Sequence, residues 1–433
     1  MNRRPSSGIS PARALTVALA GTLGVGNIVG VASALYLGGA GAIFWMFVST
    51  FVAMVLKYVE ITLAMRHRRS DGQGGMTGGA PYYIRDGLAQ AGCPRMGRIL
   101  AVLFALLCLA NAITMGSILQ VNAVSGAMSE SFRIPPLVTG CALAILCVLV
   151  MRGGARRISA LTERLVPFMT VGFLVLCLAV IFLRRERLPT TLTTIWEDAW
   201  SAECVSGGIG GFAMSRGVRY GVMRGLVSNE AGCGTAPMAH VAAETNSPAT
   251  QGIFGIFEVF VDTMLLCTVT ALAILVSDSG PNACGEDVVR TAEAAFSSVL
   301  GTWAGSFFSL SILLFGVATV ICWSHYGMTC VRYLFHSGGR GRWAETGYTG
   351  LLVASLILGA IAAPTLAWQM ADVAIAVMTL LNLLVLLLMH REVEEETSIL
   401  FPYRTRRGWG TYTATNPHRK GEQEHDRYHS KDR

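Results

Sequence analysis

Between Ala18 and Trp45 the chain reads ALAGTLGVGNIVGVASALYLGGAGAIFW, a stretch apolar enough for a bilayer whose middle holds Gly21, Gly24, Gly26 and the polar Asn27. Glycine weakens a helix and exposes its backbone, so Gly24-Val25-Gly26 is where a membrane helix comes unwound. In hydrocarbon an unwound backbone survives only where protein or a wet cavity covers its free N–H and C=O groups. The stretch therefore predicts a broken helix that lines a central binding site.

The rest of the chain fits a membrane setting. Of 433 residues 52% are hydrophobic and 14% charged, against about 25% charged in a soluble domain, and the mean hydropathy is +0.51. Several segments approach the roughly 20 apolar residues that a spanning helix needs. The net charge of +7 reflects arginine at one membrane face, and no aromatic-interleaved basic patch suggests nucleic acid. Of the eleven cysteines, Cys108, Cys147, Cys177 and Cys267 sit in apolar runs as small buried residues. Cys204 and Cys284 fall outside the expected spans, where a disulfide is conceivable. No cysteine or histidine spacing suits a structural metal. No nucleophile elbow or metal motif indicates an enzyme, and no cofactor is implied. The N-terminal apolar run continues past signal-peptide length and is read as retained.

In order, residues 1–11 form a basic lead and residues 12–183 a first group of five helices. Residues 184–219 form an outer connecting segment, residues 220–389 a second group of five helices, and residues 390–433 a charged tail expected to be mostly disordered. Arginines at Arg66, Arg68, Arg69, Arg152, Arg156, Arg157, Arg332, Arg340 and Arg342 place their loops in the cytoplasm, with both chain ends. Arg184, Arg185 and Arg187 fall outside in this scheme, against the rule. The expected fold is an all-α integral membrane protein with ten transmembrane helices, multi-pass in a plasma membrane such as a bacterial inner membrane.

The second group repeats the first. GVGNIVGVASA at Gly24–Ala34 lines up with GCGTAPMAHVAA at Gly232–Ala243, each a G-x-G followed by a polar residue and a small-residue helix. Five helices separate them, so they enter the membrane from opposite sides. Two inverted five-helix repeats with broken first helices are a transporter plan that holds substrate and ions at the midplane. Small-residue packing is the alternative account of such glycine pairs.

Several longer motifs carry a resemblance. GTLGVGNIVGVASA (Gly21–Ala34), KYVEITLA (Lys57–Ala64), GGAPYYIRDGL (Gly78–Leu88), RGLVSNEAGCGTAP (Arg224–Pro237), VDTMLLCTVTAL (Val261–Leu272) and WSHYG (Trp323–Gly327) occur in the order found in the alanine or glycine:cation symporters. The chain resembles that family, also called the sodium:alanine symporters, from Gly8 to Thr397. The resemblance implies the leucine-transporter fold and sodium-coupled symport of a small neutral amino acid into the cell. Family members usually carry a further N-terminal span before the equivalent of Ile9-Ser10-Pro11. Val25 stands where the family commonly has threonine, and Ala318 where it has serine.

A zwitterionic amino acid at low dielectric needs donors for its carboxylate and acceptors for its ammonium. Gly24, Gly26 and Asn27 at the first break and Gly232, Gly234 and Thr235 at the second are the substrate candidates. N–H groups near Gly26 to Ile28 would take the carboxylate, helped by the helix N-terminus, and carbonyls around Gly21–Gly24 and Ala231–Gly234 the ammonium. Sodium, a co-substrate, would meet Thr319 and the carbonyls of Thr22 and Val25. Threonine bonded back to its own helix is the plainer reading of Thr319.

Ionisable residues inside spans are functional candidates. Lys57 and Glu60 read as a pair on one helix face. Glu230 braces the second break or joins a gate with Arg224. Asp262 accepts from a broken helix or carries a proton. Gln120 and Asn122 make interhelical hydrogen bonds ahead of substrate contacts, and complete the gate and coupling candidates. Phe44, Trp45, Trp323 and Tyr326 read as packing or interface anchors. Two other readings stand beside sodium symport: a proton-coupled transporter of another small amino acid, and a non-transporting amino-acid sensor. The sequence sets no oligomeric state.

Overall fold

The computed structural model describes residues 8–70, 75–201, 216–285, 287–335, 339–402, 404–405 and 408–409. Of the arginines just named, the side chains of Arg156 and Arg340 lie outside this description, as do residues 202–215 with Cys204. Among the described residues the regular structure is helical apart from two short hairpins.

Seven helices among the described residues are long and apolar enough to cross a membrane. In order they are α3 (Gly41–Arg66), α5 (Pro94–Phe132), α7 (Gly154–Leu183), α11 (Pro248–Val276), α13 (Thr302–Leu334), α14 (Gly339–Ile361) and α15 (Pro364–Leu388). Between them run α1 (Pro11–Thr22), α2 (Val29–Gly38), α4 (Ala80–Gln90), α6 (Pro136–Met151), α8 (Leu188–Ala199), α9 (Arg216–Asn229), α10 (Pro237–His240), α12 (Val288–Leu300) and α16 (His390–Leu400). Large apolar side chains such as Phe51, Val55, Ile145, Phe168, Phe182, Val373 and Leu387 are more than half exposed, as they should be where the solvent is lipid. This is a multi-pass membrane protein.

Local sequence sets the boundaries. Proline opens α1, α4, α5, α6, α8, α10, α11 and α15, where its missing N–H costs nothing. Ser10 caps α1 by accepting from the Arg13 N–H, and Ser247 caps α11 by accepting from Thr250. Gly301, at φ +85°, turns the chain from α12 into α13.

Two expectations need correction. The stretch after Arg66, Arg68 and Arg69, read as a cytoplasmic loop, contains α4. The first eleven residues of the tail, read as disordered, form α16. Three carboxylates of α16 hold one guanidinium: Arg66 lies 3.1 Å from Glu392, 2.9 Å from Glu395 and 3.3 Å from Glu396. The outlying arginines also find an explanation, since Arg184 (2.5 Å) and Arg187 (2.8 Å) both pair with Asp278 in the loop after α11.

The broken helices are crossed. α1 packs against α10, and α2 against α9, so the half-helix before one break meets the half-helix after the other. Backbone pairing extends this at one end, where the Ile9 N–H donates to Ala242 O and the Glu244 N–H to Ile9 O.

Candidate functional site

Helix α1 stops at Thr22. Gly24 is extended (φ −120°, ψ −162°), Val25–Asn27 make one tight turn, and α2 begins at Val29. Orphaned backbone groups at such an end need partners from elsewhere. The Gly24 N–H donates to Asn27 Oδ1 (2.9 Å), and the Val25 N–H to Gln120 Oε1 (3.0 Å) from α5. The Thr319 hydroxyl of α13 donates to Ala20 O (3.1 Å) and also lies 3.4 Å from Leu23 O. A Cβ on Gly24 would stand 2.7 Å from Thr319 Oγ1 and 3.0 Å from Gln120 Oε1, so only glycine lets these groups close on the backbone.

Helix α9 stops at Asn229. Glu230 adopts the left-handed region (φ 54°), rare and strained for a residue with a side chain. Its carboxylate holds the turn by accepting from Thr235 Oγ1 and Trp323 Nε1, each at 2.7 Å. The Gly234 N–H donates to Glu60 Oε1 (2.7 Å), which also accepts from Asn382 Nδ2 (2.6 Å). Asn382 donates again to Gly232 O (3.0 Å) and accepts from the Tyr83 hydroxyl (2.6 Å). Gly234 sits at φ +76°, and a Cβ there would strike Ala80 and Phe104, both at 2.8 Å.

One amide joins the two breaks. Asn27 Nδ2 donates to Ser228 Oγ (2.8 Å) and Asp262 Oδ1 (2.6 Å), and Ser228 Oγ donates to Asp262 Oδ2 (2.8 Å). Asp262 lies in a wide π-turn of α11 (Phe260–Cys267), and Gln120 directly follows a second such turn in α5 (Thr114–Leu119). An extra residue in a helix redirects side chains, and such turns concentrate at functional sites. Here each brings a polar residue to a break.

The structure thus groups Gly24, Gly26, Asn27, Thr319, Gln120, Ser228 and Asp262 at the first break, and Glu230, Gly232, Gly234, Thr235 and Trp323 beside the second. It separates others. Thr319 reaches the carbonyls of Ala20 and Leu23 instead of those of Thr22 and Val25, and the Thr22 hydroxyl turns back to Ala18 O (3.4 Å). Arg224 pairs with Asp372 (2.6 Å) and lies 4.2 Å over the Trp368 ring, not with Glu230. Asn122 donates to the carbonyls of Gly359 and Ala362 and ties α5 to the end of α14. Lys57 faces Glu258 (3.6 Å) instead of Glu60. Phe44 and Trp45 pack with Trp196 and Trp200, joining α3 to α8.

Sequence reasoning overlooked Ser228, Asn382 and the buried pair of His240 with Glu258 (3.0 Å). Asn382 carried a signal, being the one polar side chain in LLNLLVLLL. Ser228 and His240 carried none, because each meets its partners only through the packing of other helices.

The comparisons with known proteins agree. The profile of the sodium:alanine symporter family matches residues 1–411. The sodium/alanine symporter AgcS of Methanococcus maripaludis is 35% identical over 391 residues, covering 90% of this chain and 83% of that one. The probable sodium/glutamine symporter GlnT of Bacillus subtilis is 34% identical over 390 residues, covering 90% and 78%. In fold, the chain is similar to MhsT, crystallised with L-phenylalanine, at a TM-score of 0.62 and 11% identity over 88% of this chain and 89% of that one. The chain belongs to the sodium:alanine symporter family.

Proposed function

We propose that this protein is a secondary-active symporter that carries a small neutral amino acid, alanine or glycine, into the cell with sodium. The observation that carries this reading is the grouping at the first break, where a hydroxyl and two main-chain carbonyls converge on a backbone whose glycine admits nothing larger. Hard cations take such oxygens. The start of α2, with Gly26 and Asn27 before it, offers N–H groups and a partial positive charge to a substrate carboxylate. The carbonyls of Gly232 and its neighbours, beside Thr235, offer acceptors to the ammonium.

In this reading the chain has ten spans: the seven long helices, α6, and the two broken pairs α1–α2 and α9–α10. Inverted repeats are supported by the crossed packing of those pairs. Both termini then face the cytoplasm of a plasma membrane. Arg224, held by Asp372 and stacked on Trp368, forms an outer gate. The Trp368 ring lies 3.5 Å from where a Gly30 Cβ would stand, so the gate closes against α2.

A second reading, proton-coupled transport of another small amino acid, is favoured by Val25 and Ala318, which are buried near Thr319 and contribute no side-chain oxygen. Uptake of labelled alanine into proteoliposomes decides between the two. Sodium symport expects uptake that needs an inward sodium gradient and falls at least tenfold in Asn27→Ala and Thr319→Ala, the loss of about 1.5 to 3 kcal/mol per hydrogen bond to a charged group. Uptake indifferent to sodium and driven by a pH gradient discards the sodium assignment.

A further inference from the structure

Helix α3, the second break and α11 enclose more acid than base. Glu60, Glu230 and Glu258 are fully buried, and Lys57 is the one buried lysine or arginine side chain among them. Lys57 lies 3.6 Å from Glu258 and within electrostatic reach of Glu60 and Glu230. The other titratable groups facing Glu60 are Tyr83 from α4, Cys233 from the break and, through Glu258, His240 from α10. Asn382 of α15 faces it with a neutral amide.

The three carboxylates differ in how their oxygens are used. Glu230 accepts one strong hydrogen bond on each oxygen. Glu258 has His240 on Oε2, while its Oε1 has no hydrogen bond and is offset by the Lys57 ammonium 3.6 Å away. Glu60 accepts from two donors on Oε1, while Oε2 is buried with no partner. A buried ionised carboxylate with one bare oxygen is among the costliest groups an interior can hold. A proton on Oε2 removes that charge and leaves Oε1 as the carbonyl oxygen that accepts from Gly234 and Asn382.

We propose that Glu60 is a proton-binding site, and that its proton decides which carboxylate Lys57 serves. With Glu60 protonated, the ammonium rests on Glu258 and joins α3 to α11, the arrangement seen here. When Glu60 releases its proton to water, Lys57, three residues earlier on the same helix, is drawn to Glu60 and leaves Glu258. The proton thereby changes the contact between α3 and α11, and it does so at the carboxyl group that holds Gly234 of the second break. The site lies among α3, the second break and α11, and does not depend on which amino acid or cation is carried.

Infrared difference spectroscopy of the purified full-length protein tests this without transport. The wild type is expected to show the carbonyl stretch of a buried carboxylic acid, shifted in D2O, at neutral pH. Glu60→Gln, which mimics the protonated side chain, should lose that band. Glu258→Gln should free Lys57 for Glu60, so that the band appears only at lower pH. Should Glu60→Gln fail to fold, Glu258→Gln decides. A wild type without the band, or a band that survives unchanged in either variant, overturns the proposal. Failure of sodium-driven alanine uptake with the band intact would overturn the symport reading alone.

Discussion

Gly24 carries the sharpest steric demand at the first break, because Thr319 and Gln120 approach it from two helices. Gly24→Ala adds a methyl group at 2.7 Å from one oxygen and 3.0 Å from the other. Overpacking of this kind costs roughly 1 to 3 kcal/mol. Alanine binding by the purified protein should weaken between about fivefold and a hundredfold, with little change in the far-ultraviolet helix signal. Unchanged binding would show that Thr319 and Gln120 retreat freely. The glycines were legible in the sequence because each G-x-G stands out beside a polar residue within an otherwise apolar or small-residue run. The partners were not: Thr319 could be singled out from its place in the family pattern, yet which carbonyls it meets depends on how α13 crosses α1. The left-handed turn at Glu230 was hidden as well, since a glutamate gives no local sign of it.

Two contacts between helices and loops invite tests of their own. Arg66 faces three partly buried carboxylates of α16, and pairs near the surface contribute about 0 to 1 kcal/mol each. Replacing Glu392, Glu395 and Glu396 by glutamine should release α16, seen as faster hydrogen exchange over His390–Leu400 with the exchange of α3 unchanged. High salt should act in the same direction. At the other end, the Arg184 guanidinium, hydrogen-bonded to Asp278, holds that carboxyl below the usual carboxylate range. A depressed native value stabilises the folded loop above the unfolded value of about 3.9, and the effect is lost as pH falls through the native value. Protection over Ser277–Cys284, the slowing of exchange relative to the unfolded chain at the same pH, should therefore hold steady from neutral pH down to about 4 and fall below it. Asp278→Asn should show the lower protection at neutral pH. The helices and their proline starts could be read from sequence because period and capping are local. α16 could not, since its charged composition suits a solvated tail and the groups it docks on, Tyr58, Arg66 and His67, lie more than 300 residues earlier in the chain.

Across the molecule, the proposed ten spans put Cys93, exposed between α4 and α5, on the membrane side opposite Asp278. A membrane-impermeant maleimide applied to right-side-out vesicles should label Asp278→Cys and leave Cys93 unmodified. Inside-out vesicles should reverse the result, and labelling of both from one side would break the ten-span count. The sequence marked the two breaks through its G-x-G motifs, but not the crossing of the broken pairs, which is a property of packing. Their junction at Asn27 has a mechanical meaning. Its one amide is bonded to Ser228 at the end of α9 and to Asp262 in α11, and its oxygen holds Gly24. Neither discontinuity can flex without disturbing the other, so the core behaves as a single lever with one fulcrum. In the proposed symport, one joint of that kind would have to be worked through both breaks together.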